Sequence, residues 1–141
     1  MMIDNDTKRK LVVDASIAVK WFAEEENTSK AEVILNHILN NKILAFAPEL
    51  LFYEVGNSLW KSKRFEKERI AASLNSLFDS RIQFQPINAM LSEITIDLMV
   101  KYDLTFYDAT YGALAQLLQA PLLTANPKDH KKIKEIEVLE L

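Results

Sequence analysis

Short apolar runs alternate with helix-like stretches along the chain, and this alternation constrains the fold more than any other feature. Five strands are predicted, at residues 11–13, 42–47, 82–86, 121–124 and 137–141. The stretches between them carry apolar residues at helical spacing, as at Leu51, Val55 and Leu59. Strands that alternate with helices form a parallel sheet covered on both faces. We therefore predict an α/β fold, a three-layer α/β/α sandwich with a mostly parallel central sheet.

Polar residues and prolines predict where the helices begin. Small polar residues cap helix starts because their side chains accept hydrogen bonds from the first free backbone amides. The predicted caps are Ser16 for a short helix over 16–22, Thr28 or Ser29, Asn88, and Thr105 for a helix to about residue 119. Pro48 and Pro127 suit the first turn of a helix. A further helix is predicted over residues 67–79.

Length and composition predict one globular domain over residues 1–141, with residues 1–9 flexible. The chain has 141 residues, of which 49% are hydrophobic, enough for a core of its own. It has no cysteine, which excludes disulfides, thiolate zinc sites and a cysteine nucleophile. With two glycines, it cannot build a glycine-rich phosphate loop. No segment has the form of a signal peptide or a membrane span, so we expect a cytoplasmic protein without membrane contact.

The net charge of −3 argues against general nucleic-acid binding, since domains with that function usually carry a basic excess. Two local runs are nevertheless basic, at residues 61–69 and 128–134. They are either solvated helix ends or basic patches that flank an acidic centre. The sequence leaves both interpretations open.

Three acidic residues lie next to apolar stretches. Asp14 follows the first strand, Glu54 lies within the helix after residue 48, and Asp108 falls in the first turn after Thr105. Each has a local explanation: the aspartates suit helix starts, with Thr105 and Asp108 spaced as a capping box, and Glu54 suits the polar edge of a helix. Half-buried carboxylates are costly, however, unless they are paired with cations or metal.

Four motifs in order carry a family resemblance: VVDASIAVKWF, APELLFYEVGNSLW, LTFYDATYGALAQLL and LLTANPKDH. Over about residues 10–141 the chain resembles a PIN domain of the VapC toxin type. The resemblance implies an endoribonuclease that depends on Mg²⁺ or Mn²⁺. It also implies the toxin of a toxin–antitoxin pair, with a small antitoxin as partner, and a homodimer.

The resemblance assigns the acidic metal site to Asp14, Glu54 and Asp108, with Ser16 and Thr124 as polar neighbours. Oxygen ligands suit these cations, and Mg²⁺ typically takes one or two carboxylates while it keeps several waters. Such a cation would offset the charge of the carboxylates and let an RNA phosphate approach. Aromatic side chains at positions 21, 22 and 53 either offer stacking faces for RNA bases or pack in the core.

One position departs from the commoner family pattern. Asn126 stands where many members carry a fourth acidic residue, and Asp129 follows three positions later. An asparagine offers a neutral oxygen, so the resemblance implies weaker binding of a second cation. Asp129 either assists that cation or merely offsets the dipole of a short helix after Pro127.

Two other functions are compatible with acidic residues at strand ends. Phosphoaspartate enzymes also place acidic residues at strand ends, but one group needs adjacent acidic residues near its first strand. The other needs a second aspartate where this chain has Ser16. A catalytically weak PIN-like module that binds RNA or protein is the main alternative.

The two histidines are not assigned to the site. A metal-bound water can act as the nucleophile, so no histidine is needed as a base. His37 and His130 are therefore expected to have incidental surface roles.

Overall fold

A computed structural model describes residues 9–141. Its strands are β1 (Arg9–Val13), β2 (Ile43–Pro48), β3 (Gln83–Gln85), β4 (Leu122–Thr124) and β5 (Val138–Glu140). Its helices are α1 (Ala15–Val19), α2 (Thr28–Leu39), α3 (Leu50–Lys61), α4 (Lys67–Phe78), α5 (Ala89–Tyr102), α6 (Phe106–Leu118) and α7 (Pro127–His130). The predicted α/β sandwich is confirmed.

The five strands form one sheet in the order β3-β2-β1-β4-β5, and every neighbouring pair is parallel. β1 and β4 lie at its centre and are built of apolar residues buried on both faces, Leu11–Val13 and Leu122–Leu123. The chain builds the sheet from β1 outward in one direction and then returns to add β4 and β5 on the other side. The strand order therefore reverses between β1 and β4, and in open α/β sheets sites form at such a point.

Of the four predicted polar caps, two are confirmed and two are wrong. The Asn88 side chain accepts a hydrogen bond from Leu91 N at 2.9 Å, and Thr105 Oγ1 accepts one from Asp108 N at 3.0 Å. The cap of α1 is Asp14 and not the predicted Ser16, which lies inside the helix. The residue before α2 is Asn27, in the left-handed region with φ 64°, instead of Thr28 or Ser29.

Pro48 was predicted in a first helical turn, but it is the last residue of β2, and α3 begins at Leu50. A proline is tolerated where a strand ends because its missing amide costs the ladder little there. The predicted flexibility of residues 1–9 falls mostly outside the described residues, although Arg9 is already the first residue of β1. Within residues 9–141, no helix has the length and apolar character that crossing a bilayer requires.

Candidate functional site

The carboxyl ends of β1 and β4 bring two predicted site residues side by side. Val13 pairs with Leu123 in parallel register, so the next residues, Asp14 and Thr124, emerge from the sheet as neighbours. Asp14 N also donates to Leu123 O at 3.3 Å. The predicted juxtaposition at the reversal of strand order is thus present.

Asp14 is tied to the start of α1. Its Oδ1 accepts hydrogen bonds from Ser16 N at 3.0 Å and from Ile17 N at 3.4 Å, and the Ser16 hydroxyl donates to the same oxygen. Asp14 is 5% exposed. Burial raises the pKa of Asp14, while hydrogen bonds from Ser16 and Thr124 partly oppose the shift. The carboxylate is therefore fixed in place and costly to keep charged.

Ser16 and Thr124 join the two strand ends. Ser16 Oγ accepts from Ala125 N at 2.9 Å, Thr124 Oγ1 accepts from Asn126 N at 3.0 Å, and the two hydroxyl oxygens lie 3.4 Å apart. Thr124 is fully buried. Both side chains thus hold the backbone that leaves β4 against Asp14.

Glu54 reaches the same cavity from α3 and meets a residue that the sequence reasoning missed. Tyr111 Oη donates a hydrogen bond to Glu54 Oε1 at 2.6 Å. Burial, followed by the charges of Asp14 and Asp108, raises the pKa of Glu54, although Tyr111 opposes the shift. Burial also raises the pKa of Tyr111, which keeps its hydroxyl protonated. The signal was its position three residues after Asp108, on the same side of α6.

Asp108 presents its carboxylate to the cavity from the first turn of α6. Its side chain is 35% exposed. The capping bond to Thr105 uses the backbone amide of Asp108, which leaves the carboxylate outside the cap. Asp14, Glu54 and Asp108 therefore converge on one cavity from three different elements.

The predicted surface role of His130 is wrong, because the residue is only 5% exposed. Its Nδ1 lies 3.7 Å from Asp14 Oδ2 and its Nε2 lies 3.7 Å from Asp108 Oδ1. The charged sequence around it, with exposed Lys128 and Lys131, concealed this inward position. His37, by contrast, does not line the cavity.

The cavity has a volume of about 630 Å³ and a strongly acidic wall. Seven carboxylate residues line it: Asp14, Glu25, Glu26, Glu54, Asp108, Asp129 and Glu140. Asn126 and Asp129 are exposed at its edge, and Asp129 Oδ1 lies 3.4 Å from Lys132 Nζ. An RNA phosphate would be repelled from this wall unless a cation offsets the charge.

The sequence reasoning also missed a lysine that lines the cavity. Lys20 is 9% exposed, and its Nζ donates to Glu26 O at 2.7 Å and lies 3.5 Å from Glu25 Oε1. Lys63, from the basic run 61–69, forms an ion pair with the same Glu25. Burial would raise the pKa of Glu25, but the hydrogen bond from Lys63 and the charge of Lys20 lower it. The signal for Lys20 was its place one helical turn after Ser16.

The donor set suits a hard divalent cation, because oxygen atoms dominate it. Among residues 9–141, no three histidine, aspartate or glutamate side chains are already arranged to hold a metal ion. Mg²⁺ usually binds through one or two carboxylates and keeps several waters, so it does not require a ready-made set of three protein ligands.

Comparisons with known proteins agree with this architecture. Residues 11–136 match the PIN domain family. Ribonuclease VapC3 of Pyrobaculum aerophilum is 34% identical over 119 residues, which cover 82% of this chain and 88% of that protein. Ribonuclease VapC1 of Mycobacterium tuberculosis is 35% identical over 123 residues, which cover 83% and 86%.

A solved toxin–antitoxin complex from Klebsiella pneumoniae contains a chain with the same fold. It superposes with a TM-score of 0.66 at 21% identity, covering 93% of this chain and 99% of that one. The family match spans most of the chain, and the relatives match it over most of their own length. The chain therefore belongs to the PIN-domain family and is a relative of the VapC ribonucleases.

Proposed function

We propose that this chain is a divalent-metal-dependent endoribonuclease and the toxin of a toxin–antitoxin pair. The observation that carries the proposal is the convergence of Asp14, Glu54 and Asp108 on one cavity. The VapC ribonucleases among its relatives support RNA as the substrate. The proposal covers residues 1–141 as one PIN-like domain that acts in the cytoplasm.

Asp14, Glu54 and Asp108 would hold Mg²⁺ or Mn²⁺, with Asn126 and Asp129 as further oxygen donors at the edge. A cation held there would offer positive charge to the scissile phosphate and would lower the pKa of a nearby water. Burial raises the pKa of Glu54 most, and repulsion from Asp14 and Asp108 raises it further. A cation shared by the three carboxylates would relieve that repulsion.

The remaining residues hold this arrangement in place. Ser16 and Thr124 orient the Asp14 carboxylate, and Tyr111 orients Glu54 by its hydrogen bond. The carboxylates of Asp14 and Glu54 are thus held in place before the substrate arrives. Preorganised charge of this kind usually supplies the largest part of catalysis.

Single-stranded or looped RNA is the proposed substrate, because its bases are free to stack on exposed aromatic rings. Tyr53 is 74% exposed, one residue before Glu54. Trp21 is less suited to this role because its Nε1 donates to Ala31 O at 2.8 Å, and the ring packs against the core. Lys20 lines the cavity, and Lys63 forms an ion pair with Glu25, which lines it as well.

A small antitoxin is the proposed protein partner, and a homodimer the proposed assembly. An apolar groove of about 320 Å³ is lined among others by Leu50, Tyr53, Ile87, Phe106 and Tyr107. Tyr53 and Tyr107 directly precede Glu54 and Asp108 in the sequence. An amphipathic segment can place apolar side chains in such a groove and an arginine against the neighbouring carboxylates. The solved toxin–antitoxin complex of the same fold supports this type of partner.

The ribonuclease proposal is tested with a labelled, partly looped RNA and the purified chain. We expect internal cuts with Mg²⁺ or Mn²⁺ and none with excess EDTA. Cleavage that continues at full rate in EDTA would contradict the metal dependence. Tight RNA binding without any cuts would favour the alternative, a PIN-like binding module.

The toxin proposal has a separate test in the native host. Expression of the wild-type chain should arrest growth, whereas Asp14→Asn should be harmless at the same protein level. Equal harmlessness of both proteins would remove the toxin assignment and leave the ribonuclease assignment standing.

A further inference from the structure

His130 is a buried polar side chain without a hydrogen-bond partner. It is 5% exposed, and within residues 9–141 neither ring nitrogen is hydrogen bonded. Leaving a buried polar group unsatisfied is costly, because the group gives up its hydrogen bonds to water. Such a group therefore calls for an explanation, and a bound ion is one of the standard ones.

Both nitrogens of the ring face carboxylate oxygens at a distance too long for hydrogen bonds. The separations are 3.7 Å from Nδ1 to Asp14 Oδ2 and 3.7 Å from Nε2 to Asp108 Oδ1. A neutral imidazole carries one N–H and one lone pair, while an ionised carboxylate only accepts. In the neutral ring, one nitrogen therefore points a lone pair at a carboxylate oxygen. A cation between these two acceptors would satisfy both.

The His130 ring is held in place by the packing of α7 and the residues after it against α6. His130 ends α7, and its ring meets Tyr111 edge-on, with 6.2 Å between ring centroids and 73° between planes. Ile133 packs directly over Gly112 of α6, where a Cβ would overlap Ile133 Cδ1. The segment around His130 is thus seated closely on α6, beside the residue that holds Glu54.

We propose that His130 supplies a nitrogen ligand to the cation site of Asp14 and Asp108, and so determines which divalent metals the site accepts. The inference rests on the proposed metal dependence and adds a ligand of a different chemical type. Imidazole favours Co²⁺, Ni²⁺ and Zn²⁺ over Mg²⁺, which prefers oxygen ligands throughout. A purely carboxylate site would show this preference more weakly.

Nε2 is the nitrogen directed at the metal. It faces Asp108, whose side chain is 35% exposed to the cavity, whereas Nδ1 faces Asp14, whose side chain is 7% exposed. A cation that enters from the cavity therefore meets Nε2 first. Nδ1–H then points toward Asp14, and a carboxylate behind a ligating histidine fixes its tautomer and orientation.

The ligand spacing is close to what one cation needs. Neighbouring ligands at bond lengths near 2.1 Å lie roughly 3 Å apart in octahedral geometry, and the observed gap is 3.7 Å. A small turn of the exposed Asp108 side chain closes this difference.

Pulsed EPR of bound Mn²⁺ tests the assignment directly, because the chain has only two histidines. The His37→Gln variant, made without an affinity tag, leaves His130 as the sole histidine. We expect nitrogen modulation of the Mn²⁺ signal in this variant, and a change of its frequencies when histidine is labelled with ¹⁵N. The His130→Phe variant, which keeps a ring of similar size, should bind Mn²⁺ without the modulation.

Calorimetry gives a second measurement on the same proteins. His130→Phe should weaken Co²⁺ binding by at least about tenfold, and Mg²⁺ binding by less than about threefold. Mn²⁺ bound to His37→Gln without histidine nitrogen modulation would overturn the role of His130 and leave the metal site intact. A wild-type chain that binds none of the three cations would overturn both the inference and the proposed metal dependence.

Discussion

The two aspartates of the cavity are held in different ways. At Asp14 the carboxylate itself accepts the capping hydrogen bonds of α1, and the residue is 5% exposed. At Asp108 the backbone amide makes the capping bond, and the side chain is 35% exposed. The chain uses the Asp14 side chain to build the fold and leaves the Asp108 side chain free.

Because of this contrast, substitutions at the two aspartates should affect stability and activity differently. Substitutions at Asp14 change both the start of α1 and the charge of the cavity, whereas substitutions at Asp108 change mainly the charge. A comparison of the two positions can therefore show which losses of activity come from the site and which come from the scaffold.

The largest expected effect is on RNA cleavage. Asp108→Asn and Asp14→Asn should each lower the rate by about two to three orders of magnitude, the scale for removing one preorganised electrostatic group. Both variants should remain folded, because asparagine caps α1 as well as aspartate does and the Asp108 side chain makes no capping bond. Asp97→Asn, an exposed position on α5 outside the cavity, is the matched control and should cleave normally. A folded Asp108→Asn protein with most of its activity would remove Asp108 from the site.

The next largest effect is on the free energy of unfolding, which should depend on the substituted residue at Asp14 but not at Asp108. Asp14→Ala should be less stable than Asp14→Asn by about 1 kcal/mol, because alanine cannot cap α1. Asp108→Ala and Asp108→Asn should agree within about 0.5 kcal/mol, since the capping bond of α6 uses the backbone. Urea denaturation in EDTA measures all four variants. Equal stability of the two Asp14 variants would show that the carboxylate does not support the fold.

The third effect concerns pH in the absence of metal. Burial raises the pKa of Asp14, and burial together with the neighbouring aspartates raises that of Glu54. A raised folded-state pKa means that the folded protein binds the proton more tightly than the unfolded chain does. Protonated Asp14 and Glu54 therefore contribute fully to the free energy of unfolding below their pKa in the unfolded chain. This contribution is lost as the pH rises through their pKa in the folded protein.

The Glu54→Gln variant measures how much the Glu54 carboxylate alone contributes to the pH dependence of stability. In EDTA at neutral pH the variant should melt at a higher temperature than the wild type, because the charged Glu54 no longer opposes folding. The difference should shrink as the pH falls through the raised pKa of Glu54. A difference that stays constant over this pH range would mean that the glutamate charge does not govern it.

The smallest effect is expected at the exposed edge of the cavity. Asp129 is solvated and pairs with Lys132, so Asp129→Asn should raise the Mn²⁺ concentration for half-maximal cleavage by only about two- to threefold. Asn126→Asp should lower it by a similar factor, because it adds a charge at the same edge. Unchanged metal dependence in both variants would assign Asn126 and Asp129 to the scaffold.

The sequence was sufficient for the features that local patterns determine. Apolar runs located all five strands, and Asn88 and Thr105 cap their helices as predicted. At β1 the local pattern was ambiguous, because Asp14 and Ser16 are both good caps. The structure selects Asp14, since Ser16 bonds across to the end of β4 through Ala125 N, a long-range contact that no local pattern contains.

The site was predictable as a set of carboxylates but not as a complete environment. The motifs brought Asp14, Glu54 and Asp108 together, yet Tyr111 and His130 were missed. Tyr111 lies among buried apolar residues of α6 and resembles core packing in sequence. His130 lies in a charged run on a four-residue helix, too short to reveal which side is buried. Their positions depend on how α6 and α7 pack against each other.

Calorimetric titration of Mn²⁺ into the metal-free chain tests the central claim that Asp14, Glu54 and Asp108 form a cation site. The wild type and Asp97→Asn should show the same saturable binding. Asp14→Asn, Glu54→Gln and Asp108→Asn should each bind at least about tenfold more weakly, since each removes one charge from the cavity. Isotherms that are identical for the wild type and all three cavity variants would contradict the account.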